Sequence, residues 1–396
     1  MRKLLGLAVS LSLATVACAS QAPAERVGRE AQAVIAGRDS NATQDAVVLL
    51  IHYDPAKGQS GQCTGTLLTP RLVLTARHCV AKTDNGAACT SDGTPLNGGK
   101  VYSDHDPATM YVYTGVKRPN FAAGEFLPKG QGLKLVTTGA KTMCNNDIAL
   151  IVLKAPVANA MIAPIRLEAG PEKGELVTAV GWGITEKTNQ PDIRQQRTDI
   201  PVLTVGPILP KGLVGANEFQ LGESICSGDS GGPALSAKGA VIGVVSRGGN
   251  GGQQQQGAAE CIKAENIYTK VSTFRDMIEQ AYAETEQEPW YEGGPDPRLA
   301  KFGVECTEDK ECRSNICLDG TCSASCSPDV ECPEGFECSA ASQCVPKKPP
   351  PPPAATPGKN ATNTTCAASP ARAGSAGWLA LLALPIFLLA KRRRGG

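Results

Sequence analysis

Ser230 lies in the run CSGDSGGP, from Cys226 to Pro233, with glycines at 228, 231 and 232. Glycines leave both a side-chain hydroxyl and the neighbouring backbone amides open to a reacting group. A serine hydroxyl is a weak nucleophile at neutral pH, so acyl transfer needs a base to take its proton and amide donors to hold the oxyanion. The chain contains three histidines, His52, His78 and His105, and all of them precede Ser230. Any base drawn from them must come before the nucleophile.

That order separates the possible geometries. The window GDSGG also fits the G-x-S-x-G elbow of α/β-hydrolases, but those enzymes place the histidine after the serine, and no histidine follows residue 105. A subtilisin-type order needs aspartate before histidine, and Asp39, Asp45 and Asp54 lie in no segment resembling that family's. The order His, Asp, Ser remains. His78 sits in LVLTARHC and Asp147 in NNDIALIVL, two apolar runs of buried-strand character. Taken singly, a histidine beside a cysteine reads as a core residue and an aspartate before a strand as a turn residue. Their joint occurrence with the serine run points to one site.

With LTARHC, NDIALIVL, AVGWG, CSGDSGGP, GVVSRG and NIYTKVSTF in that order, residues 34 to about 285 resemble the chymotrypsin and trypsin family. The resemblance implies Ser230 as nucleophile, His78 as general base and then acid, and Asp147 as the group that orients the imidazole. The amides of Gly228 and Ser230 would form the oxyanion hole. VIAGRDS resembles the family's mature N-terminus, so Val34 would be the first residue after propeptide removal, its freed amine pairing with Asp229. Ala33, rather than Lys or Arg, precedes Val34, which leaves the activating protease open. Ser224, six residues before Ser230, would lie at the base of the substrate pocket. Trypsins carry Asp there, and a neutral serine favours an uncharged side chain. Ser246 and Gly248 would line the pocket, Gly248 leaving one wall open, and Asn266 would narrow or polarise the opposite wall. A one-residue shift of the loop would bring Glu223 or Glu265 in instead.

The family bridges imply Cys63 with Cys79, bracing the histidine loop, and Cys226 with Cys261, bracing the pocket. Cys89 and Cys144 are the two that remain in this region. The chain has 16 cysteines, of which eight fall between Cys306 and Cys344. Even sets outside the cytosol read as disulfides. No C-x-x-C pair or histidine cluster points to a metal.

The expected fold is all-β: two six-stranded antiparallel β-barrels meeting near residue 160, closed by a C-terminal helix, with a small disulfide-rich module appended. The aromatic share of 4% and the 43 glycines suit short strands joined by turns. The 39 basic and 38 acidic residues nearly cancel, so nothing in the overall charge points to nucleic acid. No cofactor is expected.

The ends carry addressing signals. Residues 1–19 read as a secretory signal peptide, with a basic start, an apolar stretch and small residues at Ala17 and Ala19. Cleavage after Ala19 or Ser20 and lipidation at Cys18 both stay open. Residues 20–33 read as a propeptide, 34–285 as the protease domain, 286–304 as a linker and 305–346 as a cysteine-rich, EGF-like module serving as spacer or binding surface. Residues 347–365 form a Pro-rich stalk. Residues 366–396 place Cys366 before a short apolar run and an Arg cluster, which resembles the sorting tails of myxobacterial surface proteins. Tail removal by a sorting protease and a permanent membrane anchor are the two readings. The expected partners are protein or peptide substrates, an activating protease, that sorting protease and, through the tail, a membrane. The expected function is a secreted, envelope-associated serine endopeptidase, with a catalytically vestigial surface-binding protein as the alternative.

Overall fold

A computed structural model describes residues 34–35, 37–54, 58–208, 213–249, 258–328 and 330–347. The signal, propeptide and tail assignments lie outside these residues, as do the stalk beyond Lys347 and the Gln-rich stretch after Gly249. No helix among the described residues is long and apolar enough to cross a membrane.

The first barrel is made of Val47–Asp54, Gln59–Thr69, Leu72–Thr75, Met110–Tyr113, Gly130–Thr137 and Ala149–Leu153. The second is made of Leu176–Gly181, Gln195–Val205, Glu218–Leu221, Pro233–Leu235, Val241–Gly249 and Glu265–Lys270. All pairings in both are antiparallel. The two barrels also share one connectivity: the first strand pairs with the second and fourth, the third with the second and sixth, and the fifth with the fourth and sixth. Closure removes the open edges that a flat sheet would expose. The strand Arg38–Asp39 adds to the outside of the second barrel along Gln195 and Gln196.

The sequence explains which strands are deepest. Ala149–Leu153 reads ALIVL without a polar break, and every residue of it is buried. Its β-branched side chains fit a pleated surface packed on both sides. It pairs with Leu72–Thr75, also wholly buried, in a register that sets Ala149 opposite Thr75. That register matters for the site, because His78 follows one strand and Asp147 precedes the other. The helix Arg275–Glu284 closes the domain by burying Ile278, Ala281 and Tyr282 against the same core.

The stretch expected to be a linker runs along the barrels. Trp290 and Tyr291 pack on the main core, the Ile165 amide donates to the Trp290 carbonyl at 2.8 Å, and Glu292 takes two nitrogens of Arg166. Its Pro and Gly content reads as a linker, but the aromatic pair at its centre supplies the apolar area that fixes it.

Beyond it, the cysteine-rich module consists of two successive units. Cys306 bonds Cys317 and Cys312 bonds Cys322; then Cys326 bonds Cys338 and Cys332 bonds Cys344. In each unit the first cysteine pairs with the third and the second with the fourth. So few large apolar side chains are buried here that the bridges must supply the core.

Candidate active site

Asp147 is held by three contacts, two of them from His78. The His78 Nδ1 lies 2.8 Å from Asp147 Oδ2, and the His78 amide donates to Asp147 Oδ1 at 3.0 Å. Ser246, on a strand of the second barrel, donates its hydroxyl to Asp147 Oδ2 at 2.7 Å. Asp147 is buried, so these donors replace its lost water. His78 itself sits in the 3-10 turn Arg77–Cys79, which the Cys63–Cys79 disulfide ties back to the neighbouring strand. An Nδ1 engaged by a carboxylate leaves Nε2 as the nitrogen that can accept a proton.

Charge follows from this geometry. Burial pulls the His78 pKa down, but the Asp147 charge and hydrogen bond together outweigh it and leave the imidazole above its ordinary 6.5. Burial alone would raise Asp147. The His78 charge, with hydrogen bonds from His78 and Ser246, instead holds it below the usual carboxylate range.

Ser230 reaches the same place from the second barrel. It lines, together with His78, a cleft of about 230 Å³. The Thr64 amide donates to the Ser230 carbonyl at 2.8 Å, and the Thr64 hydroxyl to the Gly228 carbonyl at 2.9 Å, so the first barrel grips the Ser230 turn directly. Thr64 carries no signal in the sequence that marks it for this task. Gly228 has φ of +102°, where an L side chain is strained, and a Cβ there would stand 2.9 Å from the Gly183 Cα.

Asp229 points away from the cleft into the second barrel. It accepts the Gly183 amide at 2.7 Å and the Cys226 amide at 2.9 Å. Burial pushes its pKa up to about 7, opposed by those two hydrogen bonds and the field of Arg118. Val34 is buried in the core of the same barrel, with Val177, Ala179 and Ile225.

The pocket residues are arranged differently from expectation. Ser224 is wholly buried, but it stands behind Asn266, whose Nδ2 donates to the Ser224 Oγ at 3.2 Å and the Gly222 carbonyl at 3.0 Å. Asn266, and not Ser224, lines the cleft. Gly248 lines the cleft beside it, where a Cβ would lie 2.1 Å from Asn266 Oδ1. Glu223 turns aside: its carboxylate takes the Lys263 amide and stands 3.5 Å from Arg197. Glu265 is exposed and borders an adjoining groove of about 900 Å³. Cys226–Cys261 and Cys89–Cys144 are closed, the latter tying a surface hairpin to the segment before Asp147.

Comparison with known proteins agrees with this architecture. The family model described as Trypsin matches residues 35–278. The chain is similar to the β-fibrinogenase brevinase of Gloydius blomhoffii, 28% identical over 63% of this chain and 96% of that protein. It is similar to a protein C activator of Agkistrodon contortrix contortrix, 30% identical over 62% of this chain and 94% of that protein. Phenoloxidase-activating factor 3 of Holotrichia diomphalia is 28% identical over 62% and 72%, respectively. With the family model covering more than half of the residues and two closed barrels to match, the chain belongs to the trypsin family of serine proteases.

Proposed function

We propose that this protein is a secreted serine endopeptidase working through Ser230, His78 and Asp147. The observation that carries the reading is the meeting of Ser230 with a carboxylate-held histidine in one cleft between the barrels. The Ser230 Oγ attacks the scissile carbonyl carbon while His78 Nε2 takes its proton. The carbonyl electron pair moves to oxygen, where the Gly228 and Ser230 amides receive it. Collapse breaks the C–N bond, and the leaving amine departs with the proton from His78. Water then repeats the sequence on the acyl-enzyme, and His78 returns the proton to Ser230. Asp147 stays ionised throughout and stabilises the imidazolium.

Activation follows from Asp229. A carboxyl pushed up to about 7 by burial needs a cation, and the α-amine of a chain beginning at Val34 supplies one. In the uncut chain no such amine exists. Secretion rests on the leader-like N-terminus and on resemblance to proteins named as snake venom serine proteases. Anchoring at the envelope rests on the stalk and the tail at Cys366, and the sorting protease is the partner that would process it.

A fluorophosphonate probe, which reacts with activated serines, tests the enzyme reading. Labelling of the chain cleaved before Val34, lost in Ser230→Ala, is the expected result. A folded, cleaved chain that takes no label would make the protein a surface-binding scaffold instead.

A further inference from the structure

The Asn266 side chain holds a buried acceptor that nothing among the described residues satisfies. Asn266 is 1% exposed, and its Oδ1 has no hydrogen-bond partner among the described residues. The orientation of the amide is fixed chemically. One end of it lies 3.0 Å from the Gly222 carbonyl, which can only accept, so that end must be the NH₂. The oxygen is therefore the end left over. It lies against Gly248, and both residues line the cleft that Ser230 and Ser246 also line.

Buried acceptors without partners are rare in folded proteins, and each one in a binding cleft is a place for a ligand donor. We propose that Asn266 Oδ1 is the specificity-determining group of the substrate pocket and selects a residue before the scissile bond that ends in an uncharged N–H or O–H donor, glutamine above all. This rests on the protease reading above. An apolar side chain would leave Oδ1 without a partner. A lysine or arginine would bring a full charge to a neutral oxygen. Among the described residues the cleft lining offers one carboxylate, Asp84, which is half-buried and already accepts the Lys100 amide at 2.9 Å and the Tyr102 hydroxyl at 2.8 Å. A carboxylate-terminated side chain would meet the acceptor with another acceptor. Only an uncharged donor meets all of these conditions.

The test reads the pocket without turnover. The full chain carrying Ser230→Ala, cleaved before Val34, is titrated by calorimetry with product-like peptides differing only in the C-terminal residue: glutamine, methionine or lysine. Methionine matches glutamine in length and lacks the donor. The expected result is binding of the glutamine peptide about tenfold or more tighter than either of the others, the range set by leaving one buried polar group unpaired. Asn266→Asp, nearly isosteric, should transfer the preference to lysine. Equal binding of glutamine and methionine, an order that Asn266→Asp leaves unchanged, or binding of no peptide would overturn the assignment. Because probe labelling of the unsubstituted protein reads the nucleophile alone, the two proposals fail separately.

Discussion

Arg247 donates both terminal guanidinium nitrogens to Glu218, at 2.7 and 2.8 Å, and the same carboxylate accepts the amides of Asn145 and Gly215 at 3.1 and 2.9 Å. Asn145 belongs to the segment that carries Asp147, while Arg247 follows Ser246 on a strand of the second barrel. One buried carboxylate thus ties together the two segments that must meet for Ser246 to reach Asp147.

Glu218→Gln should therefore destabilise the protein by about 3–5 kcal/mol, the usual cost of leaving a buried partner uncompensated. Glu218→Gln combined with Arg247→Met should recover part of that loss. Thermal unfolding of the two variants checks the order, and a double variant less stable than the single one would contradict it.

The pH dependence of activity follows from His78. Catalysis needs the neutral imidazole, and the Asp147 contact leaves its pKa above 6.5. The value of kcat/KM should rise with pH through an ionisation above 6.5. Asp147→Asn should move that limb downward and cut kcat by about 10⁴-fold. The stability that the raised His78 contributes is complete below pH 6.5 and is lost as pH climbs through the folded value. Rate profiles and melting curves measured on the same buffers separate the two effects.

Asp229 gives the uncut chain its own signature. Its folded pKa of about 7 lies above the ordinary 3.8, so the unpaired carboxyl is tolerated as the neutral acid. The unfolded chain releases that proton near 3.8 and the folded chain only near 7, so stability falls as pH climbs between the two values and levels off above them. Over that window the precursor should lose up to about 4 kcal/mol, at roughly 1.4 kcal/mol for each tenfold difference in proton affinity between the folded and unfolded chain. Asp229→Asn should flatten this slope in the precursor, and cleavage before Val34 should flatten it in the unsubstituted protein. Urea denaturation of precursor and cleaved forms between pH 4 and pH 8 measures both; parallel curves would contradict the activation role.

The segment around Trp290 sets where the protease domain must end. Ending the chain at residue 285 would strip Trp290 and Tyr291 from the main core and leave Arg166 without Glu292. A loss of about 2–4 kcal/mol is expected, comparable to deleting a large core side chain. A chain ending after Gly294 should retain most of the stability, as read by its unfolding midpoint.

Much of the site was legible in the sequence, because His78, Asp147 and Ser230 each lie beside a buried strand or a glycine turn whose pattern is local. Asn266 was legible as a pocket residue, but not as the one standing in front of Ser224. Its orientation depends on the Gly222 carbonyl, brought close by pairing of the strands Glu218–Leu221 and Glu265–Lys270. The Glu218–Arg247 pair was hidden for the same reason: Glu218 stands in no motif, and only barrel closure brings it to Arg247. The role of Trp290 was masked by Pro and Gly neighbours that dominate the composition of its segment. Disulfide pairing in the module follows from chain crossing, which cysteine spacing does not encode.

No disulfide joins the 306–322 half of that module to the 326–344 half. Each half is cross-linked within itself, so reducing one half would leave the bonds of the other intact. The module can thus change length in whole units, by losing or repeating one, without any bridge having to exchange its partner. Its span is adjustable in such steps, independently of the cleft between the barrels.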